Sequence, residues 1–264
     1  MSRYMDIAVN LVGSALEKDL QGVVARAVQA DVSPLIVIGS NIEESQQALQ
    51  VCSDYPRQLY ATAGIHPHHA KEWDNQSEAT IKALAQSPSV LAIGECGLDY
   101  NRDFSPRPQQ RQAFADQLAI ACELNMPVLM HERDAHQDFI RILSEYRPHL
   151  PKALLHCFTG DRDALMQYID MDLYIGVTGW VCDERRGQEL AQIVPDIPND
   201  RILIETDSPY LLPRSMRPKP KSSKNEPQYL PYIAEYVANL RQQPPAVFAN
   251  QTYQNSLDFF GLAQ

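Results

Sequence analysis

Short apolar runs alternate with longer segments in which apolar residues recur at helical spacing, and this alternation continues along nearly the whole chain. Apolar runs of this length indicate β-strands, and the longer segments indicate amphipathic helices. The strands are expected near Met5–Asn10, Leu35–Gly39, Leu59–Gly64, Val90–Glu95, Pro127–His131, Ala153–His156, Leu173–Val177 and Ile202–Glu205. The helices are expected near Leu16–Ala30, Glu43–Asp54, Glu78–Gln86, Gln109–Asn125, Ala135–Tyr146, Arg162–Asp170, Glu184–Ile193 and Pro227–Arg241.

Repeated βα units of this kind are typical of a parallel sheet. Eight such units in about 250 residues fit a TIM (β/α)8 barrel better than a doubly wound sheet. We therefore predict an α/β protein with a single barrel domain that spans residues 1–264. A last helix near Pro244–Phe260 would be an addition to the outer layer of the barrel.

Glu95 is the first candidate for a functional residue, because it stands at the expected end of the fourth strand. Leu91, Ile93 and Glu95 have the same parity, so on a regular strand they share one face. A carboxylate on an apolar face must be paired or must bind a cation to offset its desolvation. Gly94 and Gly97 on either side allow another group to approach the backbone closely.

Other expected strands also end in polar residues, and a barrel gathers the C-terminal ends of its strands at one face. These residues are Asn10, His66, His68, His131, His156 and Asp207. A single histidine at a strand end is more often a hydrogen-bonded core residue, but so many titratable groups together are costly to bury without a cation. We therefore predict a divalent metal ion held by Glu95, His131 and His156. Asp207 would be either a further ligand or the base that orients metal-bound water.

The remaining polar groups on this face suggest a way to hold a substrate. His66 and Arg133 are candidates to bind a phosphate group, and His68 is a weaker candidate for the same role. For Arg133, a simple ion pair at the end of its strand is an alternative of equal weight.

The charge balance limits how a nucleic acid could be bound. The chain has 23 Lys and Arg against 33 Asp and Glu, a net charge of −10, so a polyanion must be gripped locally. A Pro- and Ser-rich loop supplies one such candidate grip, with a solvated loop as the alternative. Its cations are Arg214, Arg217, Lys219, Lys221 and Lys224. Tyr210, Phe158 and Trp180 are candidates to stack on unpaired bases, although packing is the commoner role of an aromatic side chain.

Composition also predicts the cellular location and the oligomeric state of the protein. The chain has no run of about 18 or more uncharged apolar residues, and its first residues lack the apolar core of a secretory signal. The five cysteines form no close pair, which favours reduced thiols. We therefore expect a cytoplasmic protein without membrane association, and its negative surface favours a monomer.

Five spaced motifs resemble the TatD family of metal-dependent deoxyribonucleases. They are Gly64-Ile65-His66-Pro67-His68, the run from Ile93 to Asp99, His131-x-Arg133-Asp134-Ala135, the run from His156 to Gly160, and the run from Glu205 to Leu211. The resemblance implies a TIM-barrel hydrolase that uses Mg²⁺ to remove nucleotides from the 3′ end of single-stranded nucleic acid, with a link to repair of oxidised DNA. It also implies that Glu95, His131 and His156 bind metal, that Asp207 is the catalytic aspartate, and that His66 lies near the scissile phosphate.

The first strand departs from the family pattern. Many members carry an Asp-x-His-x-His sequence there, whereas this chain has Ala8 and Asn10 in place of the two histidines. A methyl group cannot bind metal, and a carboxamide oxygen is a weaker and harder ligand than imidazole. We therefore predict one firm metal and at most one weak one, with Mg²⁺ or Mn²⁺ favoured over Zn²⁺.

Two other functions remain open at this point. An amidohydrolase acting on a small amide or lactone would use the same ligand types, but it usually needs the first-strand histidines and often a carboxylated lysine. A metal-binding accessory protein in protein export or quality control is favoured only by Ala8. The leading prediction is a 3′-5′ exonuclease on single-stranded DNA, with RNA as a second candidate substrate.

Overall fold

Residues 2–263 are described by the computed structural model, and within them eight β-strands form one parallel sheet. The strands are β1 (Tyr4–Val9), β2 (Val32–Val37), β3 (Leu59–Ala63), β4 (Val90–Asp99), β5 (Val128–Arg133), β6 (Ala153–Leu155), β7 (Tyr174–Val177) and β8 (Ile202–Ile204). The α-helices are α1 (Leu20–Gln29), α2 (Ile42–Asp54), α3 (Asn75–Leu84), α4 (Arg107–Leu124), α5 (His136–Tyr146), α6 (Arg162–Asp170), α7 (Gln188–Ile193), α8 (Leu230–Leu240) and α9 (Pro245–Phe260).

The order of the strands identifies the fold class. Neighbours in the sheet follow the chain order from β1 to β8, and a helix follows each strand. An isolated parallel bridge joins Val9 at the end of β1 to Ser208 after β8. This is the arrangement of a (β/α)8 barrel, with α9 as the extra C-terminal helix. The predicted α/β barrel fold is therefore confirmed.

The described chain divides into two compact units. The first unit consists of residues up to 37, residues 157–169 and residues from 174 onward, and it contains β1, β2, β7 and β8. The second unit consists of residues 38–156 and 170–173, and it contains β3, β4, β5 and β6. The organisation of residues 1–264 as a single domain stays a prediction.

Each unit has aromatic residues in its core. In the second unit, Phe114 of α4 stacks on Phe139 of α5 with 5.0 Å between the ring centroids. In the first unit, Phe158 packs edge to face against Tyr168 of α6. Phe158 is only 2% exposed, so it serves packing and is not available to stack on a base.

Local sequence signals explain where several helices begin and end. The Asn41 side chain accepts a hydrogen bond from the Glu44 backbone N–H and caps α2. Asp74 and Ser77 form a capping box at the start of α3. The last helix ends at Gly261, whose φ of 66° lies in the left-handed region.

Strand β4 is longer than predicted. It was expected to end at Glu95 but continues to Asp99, and this expected boundary was wrong. Gly94 and Gly97 have φ values of +132° and +142°, which only glycine adopts without strain. Gly94 lies within an irregularity of the strand, since the register between β4 and β5 shifts between Ile93 and Cys96. The simple alternation through Glu95 is therefore interrupted within the strand.

Several other boundaries also differ from the predictions. Helix α1 begins at Leu20 and not at Leu16, and helix α3 begins at Asn75 and not at Glu78. Strand β2 begins at Val32, three residues before the expected Leu35. Helix α7 begins at Gln188 because Asp183 holds the preceding residues in a turn through its side chain. No helix within residues 2–263 combines the length and apolar character needed to cross a membrane.

Candidate active site

The Glu95 carboxylate lies at the centre of a group of histidines in the second unit. Its Oε1 atom is 2.7 Å from Nε2 of His156, 3.3 Å from Nε2 of His66 and 3.3 Å from Nδ1 of His131. Glu95 is 6% exposed and His156 is 3% exposed. We call these four residues the Glu95 cluster. The structure thus brings together three of the predicted metal-binding residues and His66.

Burial and neighbouring charges shift the pKa values in this cluster in different directions. Burial raises the pKa of Glu95, but the charges of His156 and His66 outweigh it and hold the pKa well below its usual range. Burial lowers the pKa of His131, yet the Asp99 and Glu95 carboxylates raise it to about 9. At His66 burial dominates and lowers the pKa to about 4, despite the nearby Glu95. At neutral pH an ionised Glu95 therefore faces a charged His131 and a neutral His66.

A backbone hydrogen bond assigns the tautomer of His66. The backbone N–H of His68 donates to Nδ1 of His66 at 3.0 Å, so the proton of the neutral ring is on Nε2. That nitrogen is the one directed at Glu95. In this state His66 is a hydrogen-bond donor and not a free metal ligand, although its ring lies close to the other ligands.

The cluster also fits a divalent metal ion. His66, Glu95 and His131 each offer a ligand atom, and these atoms lie within 4.8 Å of one another. Nε2 of His131 is buried and has no hydrogen-bond partner within residues 2–263. A buried orphan nitrogen beside ionised carboxylates suits a cation, and nitrogen and oxygen donors together bind divalent metals. Glu95 and His131 can therefore hold a divalent metal ion, and Nε2 of His156, 2.7 Å from the Glu95 carboxylate, is placed to be a third donor.

Three glycines set the spacing of the strands that carry the cluster. A Cβ atom on Gly97 would overlap the carbonyl oxygen of His131, and one on Gly94 would overlap that of Leu129. A Cβ on Gly64 would lie 2.5 Å from the backbone carbon of Gly94. The close approach expected at Gly94 and Gly97 is thus made by the backbone of β5. This contact brings Glu95 and His131 next to each other.

Asp99 belongs to the same site; from the sequence alone it is a candidate for either a metal ligand at the rim or a helix cap, and capping is the default interpretation. Its Oδ2 atom lies 2.7 Å from Nε2 of His68 and 3.6 Å from Nε2 of His131. Burial raises its pKa, but His131, His68 and backbone N–H groups hold the pKa well below its usual range. The continuation of β4 past Glu95 places Asp99 at the end of the same strand, where it pairs in register with Arg133 of β5. Asp99 orients both histidines through its carboxylate.

Two buried glutamines on α4 hold the backbone of this site. Gln117 accepts from the Ile65 N–H at 2.7 Å and donates to the Ile65 carbonyl at 3.0 Å. Gln110 makes the equivalent pair of bonds to Asp99, at 2.8 and 3.2 Å. Both side chains are fully buried. One helix therefore fixes the loop that carries His66 and the end of the strand that carries Asp99.

Comparison with known proteins identifies the family. A family model described as TatD related DNase matches residues 5–261. This chain belongs to the TatD-related DNase family. The 3′-5′ ssDNA/RNA exonuclease TatD of Erwinia tasmaniensis is 51% identical over 257 residues, covering 97% of this chain and 99% of the relative. Its counterpart from Salmonella typhimurium is 51% identical over 255 residues, covering 97% and 98% of the two chains.

Solved structures agree with the fold of this TatD-related DNase. A TatD homologue from Escherichia coli K12 superposes with a TM-score of 0.89 at 23% identity, covering 99% of each chain. A TatD-family hydrolase from Entamoeba histolytica gives a TM-score of 0.87 at 24% identity, covering 98% of each chain. Both confirm the barrel architecture.

The first strand of this TatD-related DNase and the residue that follows it contact Asp207 within the first unit. Nδ2 of Asn10 donates to Oδ1 of Asp207 at 3.0 Å, and the Asp207 backbone N–H donates to the Ala8 carbonyl. Asp207 has a φ of 53°, in the left-handed region that costs an aspartate about 1 kcal/mol or more. Asn10 thus supports the predicted catalytic aspartate.

Two of the predicted phosphate-binding residues, His68 and Arg133, differ in how their side chains are held. His68 is partly exposed and pairs with Asp99, so its ring is held in one orientation. Arg133 is exposed at the end of β5 and forms no ion pair with a carboxylate among the described residues. An ion pair that would neutralise Arg133 is therefore not observed, and its role in substrate binding stays a prediction.

Proposed function

We propose that this protein is a metal-dependent 3′-5′ exonuclease that hydrolyses single-stranded DNA and RNA. The observation that carries the proposal is the Glu95 cluster, a buried carboxylate surrounded by three imidazoles. The relatives named 3′-5′ ssDNA/RNA exonuclease TatD, 51% identical over nearly the full chain, support this choice among metal-dependent reactions.

In this proposal each side chain has a defined task. Glu95, His131 and His156 hold the metal ion, and Asp207 is either a further ligand or the group that takes a proton from the attacking water. When bound, a divalent ion supplies charge neutralisation at the phosphate and lowers the pKa of water. His66 donates a hydrogen bond from Nε2 to a phosphate oxygen, because its Nδ1 already accepts from His68.

Substrate positioning falls to two further residues. Arg133 offers an uncompensated guanidinium whose planar donors match a phosphate group. The His68 ring, held by Asp99, presents an imidazole of fixed orientation on the same loop as His66. Fixing such groups before the substrate binds reduces the entropy lost in the reaction.

The metal proposed for this site is Mg²⁺. The carboxylates of Glu95 and Asp207 and the amide of Asn10 are oxygen donors of the kind that Mg²⁺ prefers. The imidazoles make Mn²⁺ an alternative and leave Zn²⁺ less suited, because Ala8 and Asn10 replace two nitrogen ligands. We further propose that the protein is a cytoplasmic monomer that acts in the repair of oxidised DNA.

The test is degradation of a 5′-labelled single-stranded oligonucleotide, as DNA and as RNA. Mg²⁺, Mn²⁺ or EDTA is added to the wild-type protein and to the Glu95→Gln variant. We expect a ladder that shortens from the 3′ end only with metal and only with Glu95 present. Glu145→Gln, on the exposed face of α5, is the matched control and should behave like wild type.

Failure would take a recognisable form. No cleavage by the wild-type protein with either metal would contradict the proposal and direct attention to small amides or to an accessory role. In the accessory case, His131→Ala would leave the cellular function intact.

A further inference from the structure

A cleft of about 500 Å³ in the first unit is lined by cations and by no acidic residue. Its charged lining consists of Arg186, Arg214, Lys219 and Lys221, and Ser222 and Ser223 add hydroxyl groups. We call it the basic cleft. Its size lies within the range of about 300 to 1,000 Å³ that holds small ligands. Such a concentration of positive charge is unexpected in a chain with a net charge of −10.

A buried aspartate fixes the arginine side of the basic cleft. Asp183 is 3% exposed, and its Oδ2 atom lies 2.9 Å from Arg186 and 3.5 Å from Arg214. The guanidinium of Arg186 also lies over the ring of Trp180, 4.4 Å from its centroid. One carboxylate thus orients two guanidinium groups but neutralises only one charge.

The two lysines of the cleft stand on a loop whose backbone is restrained, and no carboxylate within residues 2–263 neutralises their charge. Within residues 2–263, neither Lys219 nor Lys221 forms an ion pair with a carboxylate, and both are exposed. The loop that carries them is tied down where Asn225 donates to the Thr206 carbonyl at 2.9 Å. Pro218 and Pro220 restrict its backbone further. Positioned cations without anions nearby are suited to an anionic ligand from solution.

The same segment also connects the basic cleft to the predicted catalytic aspartate. The loop leaves β8 through Asp207, and the Tyr210 N–H donates to the Asp207 carbonyl at 2.9 Å. The Tyr210 side chain is 58% exposed. An exposed aromatic ring beside a positively charged groove is the combination that binds single strands by stacking and backbone contact.

We infer that the basic cleft binds phosphates of the retained part of the single strand, on the 5′ side of the nucleotide being removed. The inference rests on the proposed exonuclease function and extends it, since it assigns substrate affinity to groups outside the Glu95 cluster. The enzyme then prefers oligonucleotides to dinucleotides, because only a longer strand fills the cleft while its 3′ end is cleaved.

The first test measures binding without catalysis. A labelled strand of about 12 nucleotides is titrated in EDTA, by fluorescence anisotropy, with wild type and with Lys219→Gln/Lys221→Gln. Each phosphate contact contributes roughly 0.7 to the salt slope for single strands, so the variant should lose roughly 1.4 and bind more than about tenfold more weakly near 0.1 M salt. The control is Arg57→Gln/Lys152→Gln, which removes two charges from positions that precede β3 and β6. Circular dichroism verifies that all variants are folded.

The second test uses catalysis on two substrates. The lysine variant should raise KM for the oligonucleotide about tenfold, leave kcat unchanged, and cleave a dinucleotide as wild type does. Inorganic phosphate is included as a competitor, because a free-phosphate site would present the same chemistry. Unchanged strand affinity in the lysine variant, together with loss of its binding of inorganic phosphate, would assign the cleft to free phosphate and overturn the inference.

The two proposals fail in different ways. If the wild type does not degrade the strand with Mg²⁺ or Mn²⁺, the exonuclease function is wrong. If degradation is normal but the lysine variant matches the control in affinity and salt slope, only the basic cleft is wrongly assigned.

Discussion

Asp99 and Asp183 make the same local turn in two different regions of the molecule. Each is almost fully buried, and each uses Oδ1 to accept backbone N–H groups two and three residues ahead. The donors are Asn101 and Arg102 for Asp99, and Arg185 and Arg186 for Asp183. The other oxygen differs, because Asp99 meets His68 whereas Asp183 meets Arg186.

The difference shows how one turn serves two kinds of chemistry. Imidazole changes its charge near neutral pH and can bind metal, whereas guanidinium stays charged at every physiological pH. The region around Asp99 should therefore respond to pH and metal. The region around Asp183 should respond to salt and strand length, and the two responses should be separable by mutation.

Loss of Glu95 should give the largest effect. Removing a residue that merely orients a metal ligand lowers activity or affinity about 10- to 100-fold, so Glu95→Gln should lower kcat by more than about 100-fold. Binding of an oligonucleotide in EDTA should be retained, because the basic cleft is unchanged. Single-turnover kinetics and anisotropy measure the two properties, and a parallel loss of both would show that the regions are not separable.

Asp99→Asn should have the next largest effect. It removes one of the two carboxylates that raise the pKa of His131 to about 9, so that pKa should fall while kcat drops about 10- to 100-fold. Proton NMR titration of the histidine ring follows the pKa, and steady-state assays follow kcat. Asp103→Asn, which alters an exposed ion pair with Arg107, is the control. An unchanged His131 pKa would contradict the assignment of Asp99 as a partner of His131.

Metal binding should depend on pH in a defined direction. Because the pKa of His131 is raised to about 9, this ring is protonated at neutral pH and must lose a proton to bind metal. Apparent Mn²⁺ affinity should therefore rise about tenfold per pH unit from 7 toward 9 and then level off. The favourable carboxylate contacts of charged His131 also stabilise the metal-free fold below its ordinary pKa. That contribution is lost as pH rises through about 9.

Calorimetry in buffers of different ionisation enthalpy gives the number of protons released on metal binding. Release of no proton at pH 7 would contradict the assigned charge of His131. Oligonucleotide binding in EDTA should show no comparable dependence in this pH range, because the cleft contains only Arg and Lys as charged groups.

Asp183→Asn should have the smallest effect on turnover. It removes the shared acceptor of two guanidinium groups, so the free energy of unfolding should fall by about 1–3 kcal/mol while kcat stays unchanged. Urea denaturation measures the stability. Asp196→Asn, which breaks the exposed ion pair with Arg162, should lower it by less than about 1 kcal/mol. A reduced kcat in Asp183→Asn would place this turn in the catalytic machinery.

Sequence patterns predicted the barrel and the Glu95 cluster because both depend on local rules. Apolar runs mark the strands, and parallel strands end at one face, so Glu95, His131 and His156 were expected to converge. For Asp99 the sequence left a ligand and a helix cap as alternatives, because the continuation of β4 depends on the unusual backbone of Gly94 and Gly97. The contact of Asn10 with Asp207 could not be predicted from local patterns either, since it joins residues 197 positions apart.

Gln110 and Gln117 are seven residues apart on α4, which separates their amide groups by two helical turns, or about 10 Å along the axis. Each amide holds one backbone segment. The rise of the helix between the two glutamines therefore sets the distance between the His66 loop and Asp99. Lengthening α4 by one residue between them would rotate one amide by about 100° and release its segment. The number of residues between Gln110 and Gln117 therefore fixes how far apart the two backbone segments lie. An insertion or deletion there should disturb the site as a change of a ligand would.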